Sequence, residues 1–283
     1  MAFFTNQAQL RYGNEITNSN ITVGEIQEVL TVTKTAVKET YRQGGTVTYI
    51  ISIVNAGTAE YTGLTLSDDL GSYDFGATTR TPLDYSAGTI RYYQNGVLQT
   101  APTVEAGPPL TITGVNVPAG GNATIVYETR LNAYAPLQLE AEITNVVTVS
   151  GTCVSGITAS ETVSAVAEPV LSITKSVNPV PVTECGRLTY TFVIQNTGNV
   201  PADSTTEVSV TDTFDPVLRN LTVTFNGTAW TAPTNYTYDE TTGMFTTVLG
   251  EVTVPAATYT QNSETGEWST SSGVSTLIVT GTI

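Results

Sequence analysis

The chain has 283 residues and a net charge of -15, with 25 acidic against 10 basic residues and no histidine. Scattered Lys and Arg argue against a nucleic-acid partner, which needs clustered positive charge, and the commonest neutral-pH general base is missing. No stretch approaches the ~20 apolar residues of a membrane span. Short alternating runs rich in Thr, Val and Tyr predict an all-β chain, long enough for two domains that each bury a core.

The opening, Phe3 to Leu30, reads as a β-hairpin that belongs to a domain other than the one it precedes. Phe4-Thr5-Asn6-Gln7-Ala8-Gln9-Leu10 echoes Ile143-Thr144-Asn145-Val146-Val147-Thr148-Val149. Leu30-Thr31-Val32-Thr33-Lys34 likewise echoes Leu171-Ser172-Ile173-Thr174-Lys175. The start has no basic or apolar leader region, so it does not read as a secretory signal.

A first repeat, residues 30–168, then runs through alternating strands at 46–55, 64–68, 110–117 and 123–131, with an Asn95-Gly96 hairpin signal inside a long excursion. A closing hairpin spans 142–166. The second repeat, residues 169–283, follows the same programme: Tyr190 to Asn196, Val208 to Asp212, Asn226-Gly227, and a last strand over 276–282. It ends without a closing hairpin of its own, and the matching segment is residues 1–29. Two such long copies predict tandem Greek-key β-sandwiches with antiparallel sheets, preceded by an N-terminal donor hairpin.

The Lys in the first strand, the Tyr-x-Ile-x-Ile/Val-x-Asn-x-Gly second strand, the Asp ending the third and the Ile-Thr-Asn of the closing strand resemble the conserved repeat domain of bacterial surface proteins. This is the domain-of-unknown-function family number eleven. The resemblance covers nearly the whole chain, twice. It implies an immunoglobulin-like fold and an extracellular setting, and no known activity.

A sandwich without its last strands exposes an open groove and unpaired backbone groups. A hairpin of the missing type fills such a gap by strand addition. Tandem sandwiches hold the two chain ends far apart, so the groove filled is a neighbour's, and a head-to-tail contact that does not close propagates a fibre. The expected partner is another copy of the chain, on a bacterial cell or spore surface. What else the fibre touches, a surface anchor or a glycan, is not specified by the sequence.

Strand parity sharpens the expectation. Lys34 shares a face with Leu30 and Val32, Asp68 with Leu64 and Leu66, and Asn145 with Ile143 and Val147. In the second repeat Lys175 and Asp212 point inward, and the hairpin supplies Phe4, Asn6, Ala8 and Leu10 on one face. A desolvated Lys that loses its proton becomes a nucleophile, and a buried carboxyl can polarise an Asn amide and shuttle protons. The set is similar to pilin-type domains of bacterial surface adhesins, in which Lys and Asn join as an isopeptide. It predicts Lys34–Asn145 within a subunit, assisted by Asp68, and Lys175–Asn6 between subunits, assisted by Asp212. The alternative is a buried, hydrogen-bonded Lys–Asp pair without bond formation.

Cys153 and Cys185 leave two readings open, one disulfide or two free thiols. Asp68-Asp69 and Asp212-x-x-Asp215 read as turn ends rather than metal ligands, and no cofactor is expected. An adhesin stalk or a carbohydrate-binding module is the rival function, with Tyr92, Tyr93, Trp230, Tyr236 and Tyr238 as its aromatic platform. No Ser–His or Cys–His nucleophile exists without histidine, and no enzymatic activity is expected.

Overall fold

Alternating side chains set the face of each strand in the computed structural model, which describes residues 2–283. Residues 2–26 form a hairpin of their own. Its outer half pairs β1 (Ala2–Asn6) with β4 (Thr22–Ile26), and its inner half pairs β2 (Gln9–Tyr12) with β3 (Glu15–Asn18). The Phe4 ring lies across Gly24, where a Cβ would come within 2.2 Å of it. Glycine is what allows the aromatic to fold onto the opposite strand. Phe3, Phe4, Leu10, Ile16, Val23 and Ile26 are all exposed. Among the described residues, no hydrogen bond joins the hairpin to the rest, and the first tie is Ala56 N to Val29 O at 2.8 Å.

Domain one is a closed sandwich. Its first sheet places β5 (Leu30–Ala36) beside β6 (Thr46–Asn55), which pairs with β9 (Asn122–Leu131). Its second sheet sets β8 (Leu110–Val117) and β10 (Glu142–Gly151) on either side of β7 (Tyr61–Asp68), with β11 (Val154–Ala165) outside β10. The closing hairpin β10–β11 therefore zips onto the free edge of β7, with Val147 opposite Asp68 and Val149 opposite Leu66. It also covers β5, and Leu30 is only 6% exposed. Ile51, Ile53, Leu66, Ile112, Ile125 and Val147 fill the core between the sheets.

Domain two repeats the first sheet, with β12 (Leu171–Asn178), β13 (Arg187–Asn196), β17 (Gly273–Thr282) and β15 (Arg219–Phe225) in that order. The second sheet is reduced to β14 (Thr211–Thr213), β16 (Met244–Thr247) and residues 236–239. The strand expected at Val208 to Asp212 is thus shortened. Thr247 Oγ1 accepts from Val210 N at 2.9 Å in place of a ladder carbonyl, and among the described residues no strand pairs with the outer edge of β14.

The Asn-x-Gly motif has the same role in both domains. Asn55 Nδ2 donates to Ala59 O (2.8 Å) and Pro118 O (3.0 Å) while its Oδ1 accepts from Gly57 N. Asn196 repeats this with Val200 O, Pro255 O and Gly198 N. Buried amides that satisfy three backbone groups explain why the motif recurs. Likewise Asn95-Gly96 and Asn226-Gly227 both adopt positive φ at both residues, the hairpin turn their sequence signals. At the junction Trp268 N donates to Ala133 O and Gln261 Nε2 to Tyr73 OH, from a hairpin (residues 258–271) that domain one lacks.

Candidate functional site

The strands bring Lys34, Asp68 and Asn145 together inside domain one, at 4%, 0% and 0% exposure. Lys34 Nζ lies 2.5 Å from Asp68 Oδ2. The same oxygen accepts the Tyr127 hydroxyl, and Asp68 Oδ1 accepts Leu70 N at 3.1 Å. Asn145 Nδ2 donates to Tyr127 OH at 3.4 Å, while Asn145 Oδ1 and Tyr49 OH are buried without a partner. The lysine and the carboxamide thus meet through Tyr127 and Asp68. Lys34 also sits 4.9 Å from the Tyr49 ring centre, and Tyr49 stacks on Tyr127.

Burial dominates the electrostatics. It lowers the Lys34 pKa, with Asp68 pulling in the opposite direction. It raises the Tyr127 phenol well above its usual value, and the Asp68 charge adds to the effect. Tyr49 is raised for the same reason of desolvation. A buried amine, a carboxylate in contact with it and a carboxamide two hydrogen bonds away make up the reactants of amide exchange.

Domain two holds the same lysine–carboxylate pair in a different setting. Lys175 lies opposite Phe192 as Lys34 lies opposite Ile51, and it contacts Asp212 Oδ2. Its side chain is 40% exposed and that of Asp212 17%, against 0% for both partners in domain one. Three rings form a half-cage around the ammonium: Tyr190 at 4.6 Å, Phe214 at 5.4 Å and Phe192 at 5.5 Å. Asp212 Oδ1 accepts from Thr213 N, but no donor addresses its Oδ2 with hydrogen-bond geometry. The reason is a single exchange. Val279 faces Tyr190 where Tyr127 faces Tyr49, so the phenol is absent.

This second pair is only partly covered among the described residues. Ile173 is 52% exposed, and Leu171 and Val177 are also open on a strand whose counterpart in domain one is covered. Leu171, Ile173, Ile194, Val208 and Val210 line a groove there. Asn6, expected to complete the site, stands exposed on β1 in the same chain's hairpin with Phe4 on its face; Ala8 lies between β1 and β2, and Leu10 is exposed on β2.

Both cysteines are free and exposed, Cys153 at the turn of the β10–β11 hairpin and Cys185 in the loop before β13. They stand in separate domains, and no disulfide joins them among the described residues. The aromatic platform is not formed either. Tyr92 and Tyr236 are buried, Trp230 stacks on Phe225, and Tyr238 anchors Leu218 through its hydroxyl. Sequence reasoning missed Tyr49, Tyr127 and the ring cage. Tyr49 and Tyr190 share one place in the repeat and were the available signal. Tyr127 has no partner in the second copy to mark it.

No protein-family model matches the chain, and no curated protein matches it. Among solved structures it is similar to BcpA, the major pilin subunit of Bacillus cereus, at 11% identity and a TM-score of 0.36, over 96% of this chain and 73% of that one. A variant of that pilin matches at 10% identity and a TM-score of 0.39, over 69% of this chain and 66% of that one. The pilus backbone RrgB of Streptococcus pneumoniae matches at 13% identity and a TM-score of 0.35, over 86% of this chain and 55% of that one.

Proposed function

We propose that the chain is a structural subunit of an extracellular fibre on a bacterial cell or spore surface, joined head to tail by hairpin insertion. The two sandwiches are read as copies of the conserved repeat domain. The observation that carries the reading is the pairing of an open groove with a spare lid. Domain two leaves uncovered what β10–β11 cover in domain one, and residues 2–26 form a hairpin of matching sequence with its apolar side chains in water. Burying that apolar surface is favourable at about 25 cal/mol per Å², and the free edge of β14 offers backbone partners.

The register follows from domain one. With Asn6 in the place of Asn145, Ala8 faces Asp212 and Leu10 faces Val210, and Asn6 reaches Lys175. The joints are then locked as isopeptides, Lys34–Asn145 within each subunit and Lys175–Asn6 between subunits, with Asp68 and Asp212 as the proton carriers.

Electron microscopy of the purified chain, with denaturing electrophoresis of boiled and reduced samples, tests both layers. Fibres are expected, together with a ladder in which each added subunit lacks two ammonias by intact mass, one for the bond within it and one for the joint. Asn6→Ala removes the ladder and keeps the fibres. Leu10→Asp, which places a charge in the groove, removes the fibres. A monomer at every concentration overturns the assembly, and unmodified mass in every band overturns the bonds.

A further inference from the structure

We propose that the acceptor site in domain two is inert until a donor hairpin from a second copy covers it, so that the covering strand is itself the switch for bond formation. The proposal rests on the fibre reading above and adds a regulation to it.

The two lysine sites of one molecule supply the comparison. In domain one the pair is sealed by β10–β11 and no side-chain surface of Lys34 or Asp68 reaches solvent. In domain two the same pair is open on the side where those strands would lie. There the lysine side chain is 40% exposed, and the faces of Tyr190, Phe192 and Phe214 lie within 5.5 Å of its ammonium. Water and aromatic faces are surroundings that suit a cation, and a protonated amine is not a nucleophile.

Covering the groove removes the water and leaves the rings. A desolvated ion pair can relieve its cost by becoming neutral, and Asp212 is suited to receive the proton. Its Oδ2 has no phenol beside it, since Val279 stands where domain one has Tyr127, and Lys175 is the group in contact with it. The step then balances. Lys175 Nζ passes one proton to Asp212 Oδ2 and attacks Cγ of the donor's Asn6. The Cγ–Nδ2 bond breaks and the nitrogen leaves as ammonia, carrying away the second Nζ proton. Asp212 returns its proton to give ammonium overall. Because the same insertion supplies the carboxamide and removes the water, bond formation is confined to the assembled joint.

The chain has three lysines, Lys34, Lys38 and Lys175, so amine acylation with an N-hydroxysuccinimide ester reads whether the inserted hairpin seals Lys175 from solvent, the condition the switch requires. The Asn6→Ala chain, which cannot form the bond, is labelled as dispersed monomer and as fibre, then mapped by peptide mass. Lys38 is exposed and serves as the internal standard. Lys34 is expected to stay unlabelled in both samples. Lys175 is expected to label in the monomer and to be protected about tenfold or more in the fibre. Equal labelling of Lys175 in fibres seen by microscopy overturns the switch and leaves donor assembly standing. Failure to form fibres at all overturns the assembly instead. In wild-type chain held below the assembly concentration, a Lys175–Asn6 cross-link within monomers also overturns the switch.

Discussion

Asp68 carries more than an ion pair. One of its oxygens meets both Lys34 and Tyr127, and the other caps Leu70 N. Removing one member of a buried charged pair is costly because the other remains in place without its partner. Asp68→Ala is therefore expected to destabilise domain one by about 3–5 kcal/mol in urea unfolding. Tyr127→Phe is expected to cost about 1–3 kcal/mol, since it orphans the Asn145 amide and removes one donor to a carboxylate. An unchanged midpoint for Asp68→Ala would mean that the lysine finds water. The phenols add a pH dependence. Burial raises Tyr127 and Tyr49 above the ordinary 10.0. The unfolded chain then releases protons that the folded one retains, so stability is full below pH 10 and falls as pH rises beyond it. Phenolate absorbance should show these two tyrosines titrating only together with unfolding of domain one.

At the scale of strands, the two copies show what a missing neighbour does. Tyr61–Asp68 is a full strand because β8 and β10 hold both its edges. Its counterpart keeps only Thr211–Thr213, paired on one side to Met244–Thr247. The sequence pattern Val208-Ser-Val-Thr-Asp212 reads as a strand of the first kind, since alternation records which face is apolar and says nothing of whether an edge partner is present. Inward placement of Lys34, Asp68 and Asn145 was legible for the same reason: parity alone fixes it. The bulges of domain one fall near Gly114 and Gly151, away from these three residues. Tyr127 was not legible, because Val279 replaces it in the second copy and comparison of repeats finds only what both share. Hydrogen exchange should show the shortened strand directly. Amides of Val208 to Thr213 are expected to exchange fast in dispersed Asn6→Ala chain and to gain protection in its fibres. Equal exchange in both would show that the hairpin docks elsewhere.

Across the described residues, one chain holds a sandwich covered by its own hairpin, a second whose first strand is open, and a hairpin hydrogen-bonded to neither. Two contacts between the sandwiches, from Trp268 to Ala133 and from Gln261 to Tyr73, could not be anticipated, because they come from an insertion with no counterpart in the first repeat. The surface ion pair at the joint, Arg42 with Glu168, is exposed and contributes little. The domains are thus expected to unfold separately in the monomer. Domain two has the smaller buried core, with its first strand open to water, and should melt first. In the proposed fibre a donor hairpin binds only the folded groove, so assembly is expected to shift the domain-two transition upward by mass action and to make it depend on concentration. Domain one completes itself, and its transition should not move. Calorimetry of the Asn6→Ala chain separates these effects from covalent locking. The lower transition is expected to climb as protein concentration rises and the upper one to stay fixed. In wild-type fibres the lower transition should lose its concentration dependence, because a bond between Lys175 and Asn6 turns the donor into part of the same covalent chain. A lower transition that ignores concentration in Asn6→Ala would show that domain two is stable without a neighbour, and the fibre reading would lose its physical basis.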